Sequence, residues 1–211
     1  STVMAVSIMK QAGIKAALMA AGDLLITDTP LNALDEDKYL EANVFPRRDP
    51  EYAQQIIDDK VGPGCEVLIT QGFTARNAKN EICLLGRGGS DTSGALLAAL
   101  LGAHHLEIWT DVYGMFTGDP RIMPHVRLIQ RISSREAQEL ATSGAKVLHP
   151  RCIVPCAMNG VPIEIRNTMD PGPEYTLITV DDYCKRVPAS EGGSEKANGT
   201  PQAPRQGNFA N

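Results

Sequence analysis

Glu81-Ile82-Cys83-Leu84-Leu85-Gly86-Arg87-Gly88-Gly89-Ser90-Asp91-Thr92-Ser93 is the stretch that decides the fold. Residues 81–85 are mostly apolar and read as a strand. Three glycines in four residues follow, and then a helix from Ser90 to Gly102. The core of that helix, Ala95-Leu96-Leu97-Ala98-Ala99-Leu100-Leu101, is apolar on every side, which implies burial between layers. Glycines let a backbone approach a ligand and take left-handed conformations. A helix start adds unpaired N–H groups and partial positive charge. Together they make an anion site that needs no Walker lysine. The same residues also fit a plain tight turn with Ser90 or Asp91 as N-cap. Arg87 favours the first reading, because a guanidinium in a glycine-rich turn is placed to clamp a carboxylate bidentately. Asp91 could accept hydrogen bonds from an ammonium, so the pair suits the two ends of an amino acid. Otherwise the two would pair with each other.

Working outward, strands and helices alternate. Thr2–Ala12 carries apolar residues at helical spacing and stops at Gly13, Ile14–Met19 reads as a buried strand, and Leu31–Pro50 is polar and irregular. Glu51–Lys60 reads as a helix ended by Gly62-Pro63-Gly64, and Glu66–Thr70 as a strand. His105–Trp109 is a further strand. Ser133–Ser143 is an amphipathic helix with a capping box, since Ser133 lies three before Glu136. Arg151–Asn159 is helical, and Val161–Ile165 is a strand. This alternation predicts an α/β layered fold with a largely parallel sheet. Pro188–Asn211 holds no Leu, Ile, Val or Met and cannot bury enough to offset its ordering entropy, which predicts disorder.

The 211 residues carry 20 Lys+Arg against 25 Asp+Glu, and this acidic balance argues against a nucleic-acid partner held by phosphate contacts. No uncharged apolar run is long enough to span a membrane. Five cysteines without tight spacing are a poor disulfide framework and read as the small buried residues of a cytosolic protein. Cys152, Cys156 and His149 leave a metal set one ligand short, so no metal site on protein ligands is expected. A second polar cluster, Trp109–Arg121, follows a strand and so falls at a carboxyl edge of the sheet, where α/β proteins bind ligands. A third is Gly144-Ala145-Lys146-Val147-Leu148-His149-Pro150; taken alone, its lysine is an ordinary charge after a helix.

Taken together, Thr70–Phe73, Leu85–Ser93, Trp109–Arg121 and Gly144–Pro150 resemble, in this order, the aspartate kinases of the amino acid kinase family. The match covers roughly residues 1 to 180, and Gln71–Phe73 with Ala75–Asn77 and Ala137–Glu139 is especially similar to the form fused to a diaminopimelate decarboxylase. The resemblance implies a three-layer α/β sandwich with a mainly parallel sheet. It implies a partial kinase domain over 1–185 with a disordered tail over 186–211. It also implies cytoplasmic transfer of the γ-phosphoryl of ATP to the side-chain carboxylate of L-aspartate, the step that opens lysine, threonine and methionine synthesis. By the same resemblance Arg87, Ser90 and Asp91 would bind the amino acid, with Asp91 the catalytic candidate. Thr110, Asp111, Phe116, Asp119, Arg121, Lys146 and Val147 would bind the nucleotide, with Mg²⁺ mainly on the phosphates. Phe116 stands where the family often has Tyr. The family's Lys-Phe-Gly-Gly-Thr-Ser turn does not occur, and Ser1-Thr2 matches a pair that follows a substrate-binding Glu. The N-terminal part is therefore expected to be missing, and the activity of this chain alone stays open. An inactive nucleotide-binding remnant and a kinase for another acid are the alternatives. Homo-oligomerisation is open.

Overall fold

The computed structural model describes residues 1–30, 32–119, 122–144 and 147–180. The expected tail over 186–211, Cys184, Arg121 and Lys146 lie outside them.

The chain opens with helix α1 (Thr2–Gln11), and Gly13 at φ +82° turns it into strand β1 (Ala16–Leu18). Helix α2 (Pro50–Val61) starts where its chemistry allows. Asp49 accepts the Tyr52 N–H at 3.2 Å, and Pro50 has no N–H to leave unsatisfied. Strand β2 (Val67–Ile69) then pairs in parallel with β1. Strands β3 (Thr74–Arg76) and β4 (Ile82–Leu84) form an antiparallel hairpin that leads into helix α3 (Gly89–Leu101). Strand β5 (Leu106–Thr110) follows, then β6 (Arg131–Ser133), α4 (Ser134–Thr142), α5 (Pro150–Asn159), β7 (Ile163–Asn167) and β8 (Tyr175–Thr179). These last four strands form one sheet in the order β5-β7-β8-β6. The pairs β5/β7 and β6/β8 are parallel, and β7/β8 is antiparallel.

Three expectations need correction. Leu31–Pro50 is not wholly irregular: Glu36–Leu40 makes a wide π-type turn, and Glu41 bridges Leu85. The start of α3 is capped by Gly88 in the left-handed conformation, φ +68°, and not by Ser90 or Asp91. A serine or aspartate cap needs extended backbone at its own position; here the left-handed glycine starts the helix earlier. Strands β3, β6 and β8 were not foreseen. The Ser133 capping box is as expected, with the Glu136 N–H bonded to Ser133 Oγ at 3.2 Å and the Ser133 N–H bonded to Glu136 Oε2 at 3.1 Å.

Helix α3 is the element on which the rest packs. Ala95 and Ala98 join the cluster built from β6–β8, α4 and α5, including Ile132, Ala137, Cys152, Ile153, Ile163, Ile165 and Ile178. Leu100 joins Met19, Leu24, Ala53 and Ile57. Leu96 joins Ala21, Leu25, Ala75 and Leu85. All-round apolarity in the sequence thus corresponds to burial over most of the helix, with Leu97 partly buried and Leu101 exposed on the remaining face. Among the described residues, no helix is long and apolar enough to cross a membrane.

Thr176 ties the long connection after β5 to the sheet. It is fully buried, donates to the Ile129 carbonyl at 2.6 Å and accepts the Met115 N–H at 2.9 Å. Gly114 lets the chain pass over it, since a Cβ there would overlap the Thr176 hydroxyl. Thr176→Val keeps the shape and strands both backbone groups. It should cost about 1–3 kcal/mol, read as a lowered urea midpoint, with Thr176→Ser retaining most of it.

Candidate functional site

The site is built at one end of α3. The helix leaves the glycine turn and runs about 20 Å before the chain reverses into β5, so β5 ends near the level where α3 began. Thr110 at the end of β5 is in register with Asn167 at the end of the parallel strand β7. The carboxyl ends of two neighbouring strands and the start of α3 therefore lie at the same end of the fold, where open α/β sheets hold ligands.

The start of α5 joins them. A Cβ on Gly88 would overlap the His149 ring, so that ring lies directly against the turn. His149 is itself the N-cap of α5, its Nδ1 accepting the Arg151 N–H at 3.3 Å. The start of α5 thus faces the Gly86–Gly88 turn beside the start of α3 and adds partial positive charge there. Its own first N–H groups are already used: Pro150 has none, and those of Arg151 and Cys152 are bonded to His149. The Arg87 side chain is exposed and makes no hydrogen bond or ion pair among the described residues. It does not pair with Asp91, so the reading of the two as mutual partners falls away.

Asp91 is half-buried in the first turn of α3. Burial pushes its carboxyl above the ordinary range. The backbone N–H of His149, and the imidazole charge when present, pull it partly back. Ser90 is exposed beside it. Ser93, one turn on, is buried; it donates to the Ser90 carbonyl at 2.8 Å and accepts the Phe73 N–H at 3.1 Å. Phe73 has φ +75°, rare for an aromatic residue, and its ring covers Gly89 where a Cβ would stand. Phe73, Ser93, His149 and Arg151 are the site residues that sequence reasoning gave no role. The signal for Phe73 was its place beside Gly72, whose missing Cβ would sit 3.0 Å from Ser93 Oγ.

The second cluster starts at the same end and runs away from it. Thr110 Oγ1 donates to Asp111 Oδ1 at 3.1 Å, and the Thr110 carbonyl accepts the Thr168 N–H at 2.8 Å. Asp111 is exposed. Phe116 is half-buried and bridges Leu128, and the Asp119 carbonyl accepts the N–H groups of Ile122 and Met123. Val147 packs against the main core cluster. Arg121 and Lys146 lie outside the described residues.

Other candidates are explained by packing or pairing. Cys156 is pushed up to about 12 by burial, and Cys152 further still, so neither offers a thiolate at neutral pH. His105, Glu107 and Glu164 place ligand-type atoms within 4.8 Å of one another. Both carboxylates there already serve Arg166, at 2.6 Å for Glu164 and 3.7 Å for Glu107. A cleft of about 240 Å³ between Leu24, Leu25, Val44, Phe45, Leu96 and Leu100 shares no residue with the glycine turn.

A glycine turn between strand and helix, an unpaired guanidinium and a polar loop at the strand ends match a known class. The amino acid kinase family matches residues 2–167, and the chain belongs to that family. Relatives within it include aspartokinases. The chain is 44% identical over 155 residues to the bifunctional aspartokinase/homoserine dehydrogenase of Haemophilus influenzae, covering 72% of this chain and 18% of that protein. It is 47% identical over 116 residues to the aspartokinase of Rickettsia felis, covering 55% of this chain and 29% of that one. The crystal structure of Escherichia coli aspartokinase III in complex with aspartate and ADP superimposes with a TM-score of 0.70 at 32% identity. It covers 85% of this chain and 38% of that one. The chain thus spans well under half the length of each of these relatives.

Two predictions follow from this geometry. Gly88→Ala should lose about 1–2 kcal/mol from the left-handed backbone alone, and more from displacing His149. Gly13→Ala, at φ +82° with nothing within 4 Å, is the control and should lose only the first part; urea unfolding measures both. Asp91→Asn should act in the opposite direction. A carboxyl raised in the folded state stabilises fully below the unfolded value of 3.8, and that contribution is lost as pH rises through the folded value. The Asn variant should therefore be more stable than wild type at pH 7, with the gap closing near pH 3.

Proposed function

We propose that this chain forms the nucleotide-binding portion of an aspartate kinase catalytic domain. The reaction is transfer of the γ-phosphoryl of ATP to the side-chain carboxylate of L-aspartate, giving 4-phospho-L-aspartate and ADP, at the head of lysine, threonine and methionine synthesis. The observation that carries this reading is the exposed, unpaired Arg87 at a turn faced by two helix starts. That a relative of the same fold is crystallised with aspartate and ADP supports it.

In this reading Arg87 clamps the α-carboxylate and Asp91 accepts from the ammonium, with Ser90 beside them. Asp91 is the catalytic candidate through its hold on the reacting amino acid. Thr110, Asp111, Phe116 and Asp119 line the nucleotide side, Val147 supports it by packing, and Arg121 and Lys146 add positive charge. The nucleophile is a carboxylate, already ionised at neutral pH, so no general base is needed. What the protein supplies is alignment and relief of repulsion between two anions. The exposed carboxylate of Asp111 is a hard oxygen donor of the kind Mg²⁺ takes, with the ion riding mainly on the phosphates. When bound, it would neutralise phosphate charge.

The test is calorimetry of the 211-residue chain with L-aspartate and with Mg-ATP, followed by a coupled assay of ADP release. Arg87→Ala should weaken aspartate binding by about 1.5–3 kcal/mol, roughly ten- to a hundredfold, and leave nucleotide affinity unchanged. Lys146→Ala should do the reverse. Preference for glutamate over aspartate would sink the substrate assignment. Nucleotide binding without any effect of aspartate would leave a nucleotide-binding module in its place.

A further inference from the structure

Arg87 can clamp a carboxylate only if its backbone points it at one, and among the described residues its own side chain has no partner to hold it. The restraint comes from α5. The guanidinium of Arg151 donates through Nη1 to the carbonyl of Leu85, the residue just before the turn, at 2.6 Å. Nη1 also sits 3.3 Å from where a Cβ on Gly86 would stand. Through Nη2 it reaches Asn43 Oδ1 at 2.9 Å and the Ala42 carbonyl at 3.4 Å. One side chain therefore links the end of β4, the 41–43 segment and the first turn of α5. Two residues earlier, the His149 ring packs on Gly88 at the other end of the turn.

We infer that Arg151 is a positioning residue for Arg87: with His149 it fixes the Gly86–Arg87–Gly88 turn at both ends and so sets the direction of the substrate-binding guanidinium. Entry and exit of the turn are held, and only Gly86 and Arg87 lie between them. Gly86, at φ +73°, belongs to the residue type with the most backbone freedom to lose. Without the tether the turn has other conformations to visit, and aspartate binding must then select one of them. The residue type fits the task. Arginine's planar fork of five donors can serve two carbonyls and an amide oxygen at once, whereas a lysine ammonium is a point donor on a flexible stem.

The inference rests on the proposed reading of Arg87 as the carboxylate clamp. The experiment is a double-mutant cycle read by calorimetric titration of L-aspartate into the 211-residue chain in the presence of Mg-ADP. Arg151→Gln should weaken aspartate binding roughly ten- to a hundredfold in the wild-type background, the size of a misplacement effect. It should cause no further loss in the Arg87→Ala background, and Mg-ADP affinity should stay within about twofold. A merely structural arginine would weaken both ligands, or weaken aspartate equally in both backgrounds. Either result, or no effect at all, overturns the inference while leaving the aspartate site intact. If Arg151→Gln does not fold, Arg151→Lys takes its place in the cycle under the same criteria. A wild-type chain that binds no aspartate overturns the reading of the site and this inference together.

Discussion

Burial of α3 over most of its surface is the constraint from which the rest of the structure follows. A helix buried along most of its surface must be met by apolar residues from several directions. Here three separate clusters meet it, through Ala95 and Ala98, through Leu96 and through Leu100, leaving the stripe of Ser90, Gly94, Leu97 and Leu101 toward solvent. Each cluster brings a different part of the chain: the four-stranded sheet with α4 and α5, the β3–β4 hairpin region, and α2 with the β1 neighbourhood. Once α3 is fixed in this way, its N-terminus is fixed too, and so is the glycine turn that feeds it. Cores pack to near-crystalline density, so a helix held from several directions has little room to slide or rotate. A buried helix is therefore a good mount for a binding turn.

The sequence announced this element most clearly because its signals are local. The run Ala95–Leu101 is unbroken, the glycines are dense, and both helix and turn appear where the residues predict them. The Ser133–Glu136 capping box is likewise a property of four adjacent residues. What escaped notice depends on distant partners. Strand β3 is three residues long and exists because Leu84, Cys83 and Ile82 lie opposite it. Strand β8 follows Pro171-Gly172-Pro173, whose turn signal hides the alternation in which Thr176 and Ile178 are buried. The 31–50 segment reads as polar loop because its order comes from Leu85 and Arg151, far along the chain.

The site divides in the same way. Arg87, Asp91 and Thr110 announce themselves by residue type next to a turn or strand end. His149 and Arg151 do not: one is a helix cap and the other a charged residue in a first turn, each common without any role in binding. Only the fold brings them more than 60 residues back along the chain, Arg151 to Leu85 and His149 to Gly88. Phe73 falls between these cases. Its left-handed backbone is unusual for an aromatic residue, and the compensation is the Ser93 hydroxyl that accepts its N–H. Strain of this kind persists where surrounding contacts over-determine it, and such places cluster at binding sites.

Asp91 carries the same argument into electrostatics. A carboxylate placed for packing alone would be left in water or paired; this one is half-buried, away from the nearest guanidinium in sequence, and raised by desolvation. The His149 N–H at the start of α5 offsets part of that desolvation. The arrangement is unfavourable for folding, and under the proposed reading an ammonium would supply the opposite charge. The unpaired guanidinium of Arg87 is its counterpart four residues away. A half-buried acid that accepts a backbone N–H and an exposed guanidinium that does not pair with it thus stand at the same helix start, and under the proposed reading they would meet the two ends of an amino acid.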